Sequence, residues 1–493
     1  MKLYTDSTLN DYGLAKYSSS GNLIWNTYYN SPGNLGDNPV GFDVSEQGDV
    51  YITGYSVINF EEHITTVSFN TNGELQWAKV YNGGGIGDSP GDIIIDNSGN
   101  IIIVGATAIN NNIAYALTIK YDYNGDTLWV KKFTQLPNYS RNEHVLIDNS
   151  NNIYIAGYYL TTLSDYLTLK YGTNGNLIWY TLYNSPQDYS DIGYILALDS
   201  GNNVYVVGSS YVFGASLNNN LVRINSNGVI QWGRVFTGIR SGNGQCESQP
   251  KGLAVSSDGN SIYYTTSCYG YGTLTDIVTL KYTSAGDSVW VKTYNGGVNA
   301  VANFPSSLKL DVNNDVYVTG TAYHQTSGDD FATIKYSPSG IQQWVATYNG
   351  IISNGGDYAS DLVIDTTFNL FVTGRSRNAS NNGSDALTLK YSQLIGIISQ
   401  NNELPIDYKL YQNYPNPFNS TTIITYTLPV RTFVKINIYN SIGQLVKELV
   451  GTEQIAGYYS IAVDLNGLSS GLYFYTLYAN NSIIDSKKFI FLK

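Results

Sequence analysis

Seven tryptophans recur along this chain, at Trp25, Trp77, Trp129, Trp179, Trp232, Trp290 and Trp344, and the interval between them hardly varies. Such a period marks a repeat architecture, in which each unit is one supersecondary element that buries its apolar face on its neighbours. Each Trp closes a segment such as ALTIKYDYNGDTLW (116–129) or IVTLKYTSAGDSVW (277–290). Between tryptophans lies a second segment, such as DIIIDNSGNIIIVG (92–105). Alternating β-branched and aromatic residues predict strands, and the Asn-Gly, Ser-Gly or Asp-Gly pairs between them predict hairpins. A helical period of 3.6 is nowhere sustained. Each period therefore holds four short strands, a to d, in two hairpins. Radial closure of such units is one way an all-β chain disposes of its sheet edges.

The count favours a seven-bladed β-propeller of four-stranded blades over residues 1–393. The Gly that ends strand b recurs at Gly54, Gly105, Gly157, Gly208, Gly320 and Gly374, with Thr266 in the fifth period. The last period has strands a, b and c, ending at Tyr391, but no Trp-bearing strand d. At the other end GNLIWNTYY (21–29) has no a and b strands before it. Seating that N-terminal strand in the last blade is expected to close the ring, which leaves Leu14–Tyr17 as a surplus c strand. The first residues, Met1–Asp6, also lack the basic start and apolar stretch of a signal peptide. Together these lead to the expectation that the chain starts inside a repeat, through truncation or a misassigned start.

Charge narrows the partners. The 38 Asp and Glu outnumber 26 Lys and Arg, for a net charge of −12. A chain this acidic lacks the basic footprint that nucleic acid requires. No apolar run reaches the roughly 18 to 20 residues that span a bilayer. Most of the 45 Tyr fall on strand positions, where they read as blade-to-blade packing. Cys246 and Cys268 flank a predicted hairpin with its turn at Ser257–Asn260. They read either as a disulfide formed in an oxidising compartment or as two separate thiols.

Candidate sites are few. His63, His144 and His324 occupy non-equivalent places and read as structural. The turns containing Asp96, then Asp122 and Asp126, then Asp311, Asn313 and Asp315 begin like calcium loops. None has the Glu at the twelfth position that completes an EF-hand, and Asp and Asn are favoured in turns anyway. Calcium and ordinary turns both stand, and no other cofactor is expected. One position, at a fixed distance before the end of strand b, is polar in every period: Asp37, Asp88, Ser140, Asp191, Gln249, Asn303 and Asp357. Sevenfold geometry would set these near one mouth of the channel. There Asp37, Asp88, Asp191 and Asp357 would form an acidic rim for a cation or a basic or polyhydroxylated ligand. The alternative is capping of strand a. No nucleophile elbow, phosphate loop or HExxH motif is present.

The repeat units, roughly D-x-x-T-x-K-Y-x-x-x-G-x-x-x-W and V-Y-V-T-G, resemble the β-propeller repeat family of secreted bacterial proteins over residues 10–392. After a linker (394–407), residues 408–493 carry about seven strand signals, which suggests a small immunoglobulin-like β-sandwich. Its motifs are Tyr414-Pro415-Asn416-Pro417-Phe418-Asn419, the YN-x-x-GQ-x-V segment containing Gly443, and Ala456-Gly457-Tyr458-Tyr459. They continue with the GL-x-SGLYFY run containing Gly471 and the basic-apolar end Lys487–Lys493. These resemble the type A sorting domain of the type IX secretion system in Bacteroidota-like bacteria. The resemblance implies handling by that machinery, a secreted or outer cell-surface destination, and no chemistry from this domain in the mature protein.

The expected function is that of a monomeric, non-enzymatic surface or secreted module binding glycan, protein or cell-envelope material. Two alternatives stand. One is a propeller enzyme: the G-x-x-x-W endings resemble quinoprotein propellers, and a lyase or hydrolase could use the Asp rim. The other is a passive spacer.

Overall fold

The structure is a computed structural model. It describes residues 2–5, 8–32, 35–186, 189–211, 217–239, 246–270, 274–297, 301–325, 327–350, 352, 355–378, 383–391, 407–413, 416, 418, 421–454, 457–464 and 468–491. The linker expected at 394–407 falls almost wholly outside these. The chain forms two compact units, Met1–Val363 with Val372–Leu389, and Ile364–Phe371 with Lys390–Lys493. Every regular element among the described residues is a β-strand.

The repeats fold as an all-β propeller of antiparallel sheets. Six four-stranded sheets span residues 37–81, 87–132, 139–183, 190–236, 252–294 and 304–348, and we number them one to six. A three-stranded sheet precedes them (Lys2–Thr5, Thr8–Tyr17, Leu23–Tyr29) and another follows (Asp357–Ile364, Leu370–Arg377, Ser384–Tyr391). Within each complete sheet the strands run in sequence order, with strand a innermost and strand d at the outer edge. Successive a strands lie against one another. The core is therefore divided into layers between sheets. One such layer joins Ile102 and Val104 of sheet two to Val145, Ile153 and Leu167 of sheet three.

The N-terminal strand does not close the ring in the expected way. Leu23–Tyr29 pairs with Thr8–Tyr17, placing Trp25 opposite Lys16, and it is not part of the last sheet. The supposed surplus strand is its partner. A hairpin closed across a short turn costs far less loop entropy than a pairing across most of the chain. The described residues of the repeats thus form eight sheets where seven blades were expected.

The recurrent Gly and Trp have a mechanical explanation. Each c–d turn carries a Gly in the left-handed region, for example Gly125 (φ +81°) and Gly228 (φ +83°). From Gly73 onward these glycines lie on the Trp of the preceding sheet, so a Cβ would meet the indole at 2.7 Å for Gly125 and 2.8 Å for Gly228. The same indole Nε1 donates to a carbonyl of that turn. Trp25 reaches Thr71 O, Trp77 reaches Tyr123 O and Trp129 reaches Thr173 O, at 3.0, 3.0 and 3.3 Å. Trp179, Trp232 and Trp290 bond Ser226, Ser284 and Pro338 at 3.1, 3.1 and 3.2 Å. The glycine that ends strand b does a different job. Strand a bulges opposite it, as at Pro90/Asp92, and turns a carbonyl onto it, so that a Cβ at Gly105 would stand 2.2 Å from Ser89 O. Sheet five has Thr266 here, and its a–b pairing is free of a register shift.

The C-terminal domain is a sandwich of two sheets. Lys409–Leu410, Thr421–Leu428 and Gly457–Asp464 form one; Leu445–Gln454, Thr432–Asn440, Gly471–Ala479 and Ser482–Phe491 form the other. Ile424, Tyr426 and Leu428 face Val434, Ile436, Tyr475, Leu477 and Phe489 across a shared core.

Replacing Gly228 by Ala is expected to destabilise the protein by about 2–3 kcal/mol, combining left-handed strain with displacement of Trp179. Gly99→Ala, at φ +80° with nothing within 4 Å of its Cβ, should cost only about 1 kcal/mol. Urea denaturation of the two variants measures the difference.

Candidate functional site

The four acidic residues of the expected rim are buried, with Asp37, Asp88, Asp191 and Asp357 between 0% and 4% exposed. Each carboxylate turns back on its own d–a connection and accepts a main-chain N–H. Asp37 takes Ser31 N at 2.7 Å and Asp88 takes Gly83 N at 2.9 Å. Asp191 takes Ser185 N and Asp357 takes Gly350 N, both at 2.6 Å. They are brackets that fix where strand a begins, and an exposed acidic mouth is not formed by them. Sequence spacing could locate the repeat position but not its burial.

The calcium-like turns are likewise self-satisfied. Asp96 Oδ1 accepts Ser98 N and Asn100 N at 2.8 and 3.0 Å, Asp122 does the same for Asn124 and Asp126, and Asp311 for Asn313 and Asp315. Short polar side chains that bond the main chain two and four residues on make an Asx turn, which explains the spacing without an ion. Cations of the chain take two of the remaining oxygens, Lys120 Nζ lying 2.7 Å from Asp96 Oδ2 and Lys335 Nζ 2.8 Å from Asp315 Oδ2, while the Tyr317 hydroxyl donates to Asp311 Oδ2 at 3.1 Å. Among the described residues no group of three or more His, Cys, Asp or Glu is placed to hold a metal. Burial pushes the Asp96 carboxyl up, but Lys120, Asn100 and the turn N–H groups outweigh it and hold the carboxyl below its usual value.

The histidines are separate. His63 Nδ1 lies 3.6 Å from Asp88, His324 Nδ1 3.0 Å from Asp330, and His144 Nε2 3.9 Å from Asp92. Burial lowers the His144 pKa, so that ring is neutral at pH 7.

Cys246 and Cys268 are joined in a buried disulfide. Cys246 also exchanges main-chain hydrogen bonds with Leu217 of sheet four, so the bridge ties the segment before strand a to two sheets. Beside it opens a recess of about 480 Å³ lined by Tyr211, Glu247, Gln249 and Lys251.

This recess adjoins a cluster that sequence reasoning missed. Tyr139 and Tyr158 stack with ring centroids 6.0 Å apart. Gln249 Nε2 donates to Tyr194 Oη at 2.8 Å, and Tyr194 also bonds Tyr211. Arg141 Nε donates to Glu143 at 2.8 Å while its Nη2 holds Pro90 O. Tyr139, Tyr158, Tyr194, Arg141 and Glu143 are half-buried and Tyr211 is exposed. Burial first, then the neighbouring tyrosines and Glu143, push the Tyr158 and Tyr194 hydroxyls well up. They are neutral phenols at pH 7, able to donate and accept hydrogen bonds. Residues from sheets three, four and five thus meet at the end of the propeller carrying the d–a and b–c connections. They come from three successive repeats, and that separation in sequence hid them.

In the C-terminal domain, Asn416 binds the last strand through its side chain: Oδ1 accepts Ile490 N at 2.9 Å and Nδ2 donates to Lys488 O at 3.3 Å. Phe418 packs on Phe489 and Phe491. Gly443 makes the turn at φ +81°, Gly457 opens the strand paired with Leu428, and Gly471 opens the strand paired with Phe491. Tyr414, Pro415, Pro417 and Asn419 lie outside the described residues.

The described residues form an all-β propeller unit and a terminal β-sandwich. Residues 412–492 match the family of secretion system C-terminal sorting domains, which places the chain among cargo of the type IX secretion system, bound for the cell surface or beyond. No curated protein matches the chain. Among solved structures, the chain is similar to PorZ, described as an essential bacterial surface component of the type IX secretion system of Porphyromonas gingivalis. The TM-score is 0.45 at 12% identity, over 95% of this chain and 62% of PorZ. It is also similar to a polysaccharide lyase acting on ulvan (TM-score 0.45, 12% identity, 71% and 92% covered). A third is the β-propeller domain of the trilobed protease from Pyrococcus furiosus (TM-score 0.39, 11% identity, 72% and 97% covered). None of these lends its activity to this chain.

Lys120→Met leaves the Asp96 charge buried without its cation, and about 3–5 kcal/mol of stability should be lost at pH 7. Because the native carboxyl is held low, its contribution is present above the unfolded pKa and is lost as pH falls through the folded one. The gap between wild type and variant should therefore narrow below about pH 4, as read from denaturation curves across pH. Replacing both cysteines by Ser should cost about 2–4 kcal/mol, and reductant should shift wild type but not the variant.

Proposed function

We propose that the exported chain is a non-enzymatic binding module whose ligand is a glycan of the cell surface or its surroundings, held at the tyrosine-bearing end of the propeller. The observation that carries this reading is a recess beside a disulfide, lined by Tyr211 and Gln249, both of which bond Tyr194, with the Tyr139–Tyr158 stack, Arg141 and Glu143 on the adjoining sheet. Aromatic faces with a hydroxyl at the rim suit sugar rings, which offer an apolar face and a ring of hydroxyls. Small-molecule sites commonly combine such faces with a few convergent polar groups. Tyr158 and Tyr194 are neutral phenols, and His144 is neutral with its Nε2 3.9 Å from Asp92, so these groups offer hydrogen bonds and stacking.

The test is a glycan array probed with the full chain, followed by titration of the strongest hit. Tyr158→Ala should weaken that hit about tenfold, a loss of about 1.4 kcal/mol, with the melting temperature little changed. Retention of no glycan above an uncoated control, or equal affinity for wild type and variant, overturns the reading.

A further inference from the structure

At the opposite end of the propeller, where the a–b and c–d turns lie, every Trp-bearing sheet but one carries a buried or half-buried cation on strand c. At one fixed place before each Trp stands Lys16, Lys120, Lys170, Arg223, Lys281 or Lys335, and only sheet one has Ser68. This residue sits directly across from a strand-b side chain. Lys170 opposes Tyr154, Arg223 opposes Tyr205, Lys281 opposes Tyr263 and Lys335 opposes Tyr317. In those four sheets the cation lies over the tyrosine ring, 4.7, 5.7, 5.3 and 4.9 Å from its centroid. Sheet one keeps the tyrosine, Tyr51, and the Trp beside it, with ring centroids 5.8 Å apart, but sets Ser68 opposite. The aromatic half of the pair is present and its cation is not supplied by the repeat.

The adjoining turn has changed in the matching sense. Sheet two reads Asp96 to Asn100, with the Asn100 amide bonded to the Asp96 carboxylate. Sheet one reads Ser45 to Asp49: the capping residue is now a neutral hydroxyl, which takes Asp49 N at 3.1 Å, and the carboxylate has moved to the position of the amide. The Asp49 and Glu46 carboxylates form no hydrogen bond or ion pair among the described residues. Asp43 and Asp96 are committed, the first to Val44 N and Ile95 N and the second to Lys120. Around Tyr51, Ser68, Trp77, Asp49 and Glu46 lies a cleft of about 860 Å³, whose wall contains no Lys or Arg. Asp49 helps to raise the Tyr51 hydroxyl pKa, after burial and against the bond from Ser68, so the carboxylate's field reaches the ring.

We propose that this cleft binds a guest ammonium or guanidinium group, seated over Tyr51 where the other sheets seat their own lysine or arginine and paired with Asp49. A desolvated cation over an aromatic ring beside a carboxylate is a favourable arrangement, and the fold already sets a cation over this tyrosine in four sheets. The ligand chemistry is a cationic side chain or an amino sugar, two sources of one group. The site lies on the far end from the tyrosine cluster and does not rest on the glycan reading.

The experiment is isothermal titration of the full chain with a tetralysine peptide, a glucosamine tetramer and an N-acetylglucosamine tetramer. Binding of the first alone assigns the cation to polypeptide, of the second alone to an amino sugar, and of both to the ammonium itself. The acetylated tetramer should not compete at this site. Ser68→Lys restores the resident cation, so it should raise the melting temperature and weaken the bound probe at least about tenfold, by occupying the site. Asp49→Asn should weaken it several-fold without loss of fold, and Tyr158→Ala should leave it unchanged. The proposal is overturned if neither amine binds, or if Ser68→Lys and Asp49→Asn bind as wild type does.

Discussion

The indole that reaches forward into the next turn is the interaction on which the propeller depends. A four-stranded sheet of this size buries little by itself, and most of its apolar side chains face a neighbour. The Trp supplies an aromatic plate at the outer strand, and the next turn lays a glycine on that plate and offers a carbonyl to its N–H. Both partners of this contact are demanding. The turn must adopt a positive φ, and any side chain there would lift the turn off the ring. That double requirement is why Gly and Trp recur together while most other positions drift.

The interior uses the same economy. Asp37, Asp88, Asp191 and Asp357 are buried on strand a, and a backbone N–H of the incoming loop meets one oxygen of each. The a–b turns close on their own Asp or Ser side chains. Polar residues that look like ligands for something external are largely consumed in shaping the chain, and the exposed chemistry is left to the places where repeats deviate. The disulfide-bearing segment before strand a of sheet five is one such place, and the Ser68 sheet is another.

Much of the architecture can be read from the residues. Tryptophan spacing, the hairpin dipeptides and the strand alternation lead to four-stranded sheets, and the ordered motifs after residue 408 lead to the sorting domain. Ring closure is misread if Leu14–Tyr17 counts as spare, because a c strand one turn away outcompetes one at the far end of the repeats. Spacing puts Asp37, Asp88, Asp191 and Asp357 at the right repeat position but gives them the wrong environment, since periodicity carries no information on burial. The tyrosine cluster is out of reach: Tyr139, Tyr194 and Gln249 become neighbours only through the pitch of the fold. Ser68 is visible in the sequence as the missing basic residue of one K-Y unit, and only the cross-strand tyrosine gives that absence a meaning.

The forward reach of the tryptophans gives the array a polarity. Six of the seven indoles, from Trp25 to Trp290, are satisfied by a carbonyl in the following repeat, so those sheets are complete only after their successors have formed. A lesion in one c–d turn therefore loosens the repeat before it, and the address of a defect is displaced by one unit from the residue that caused it. In any partly assembled array, the sheet that still lacks its successor is the one left with an open plate.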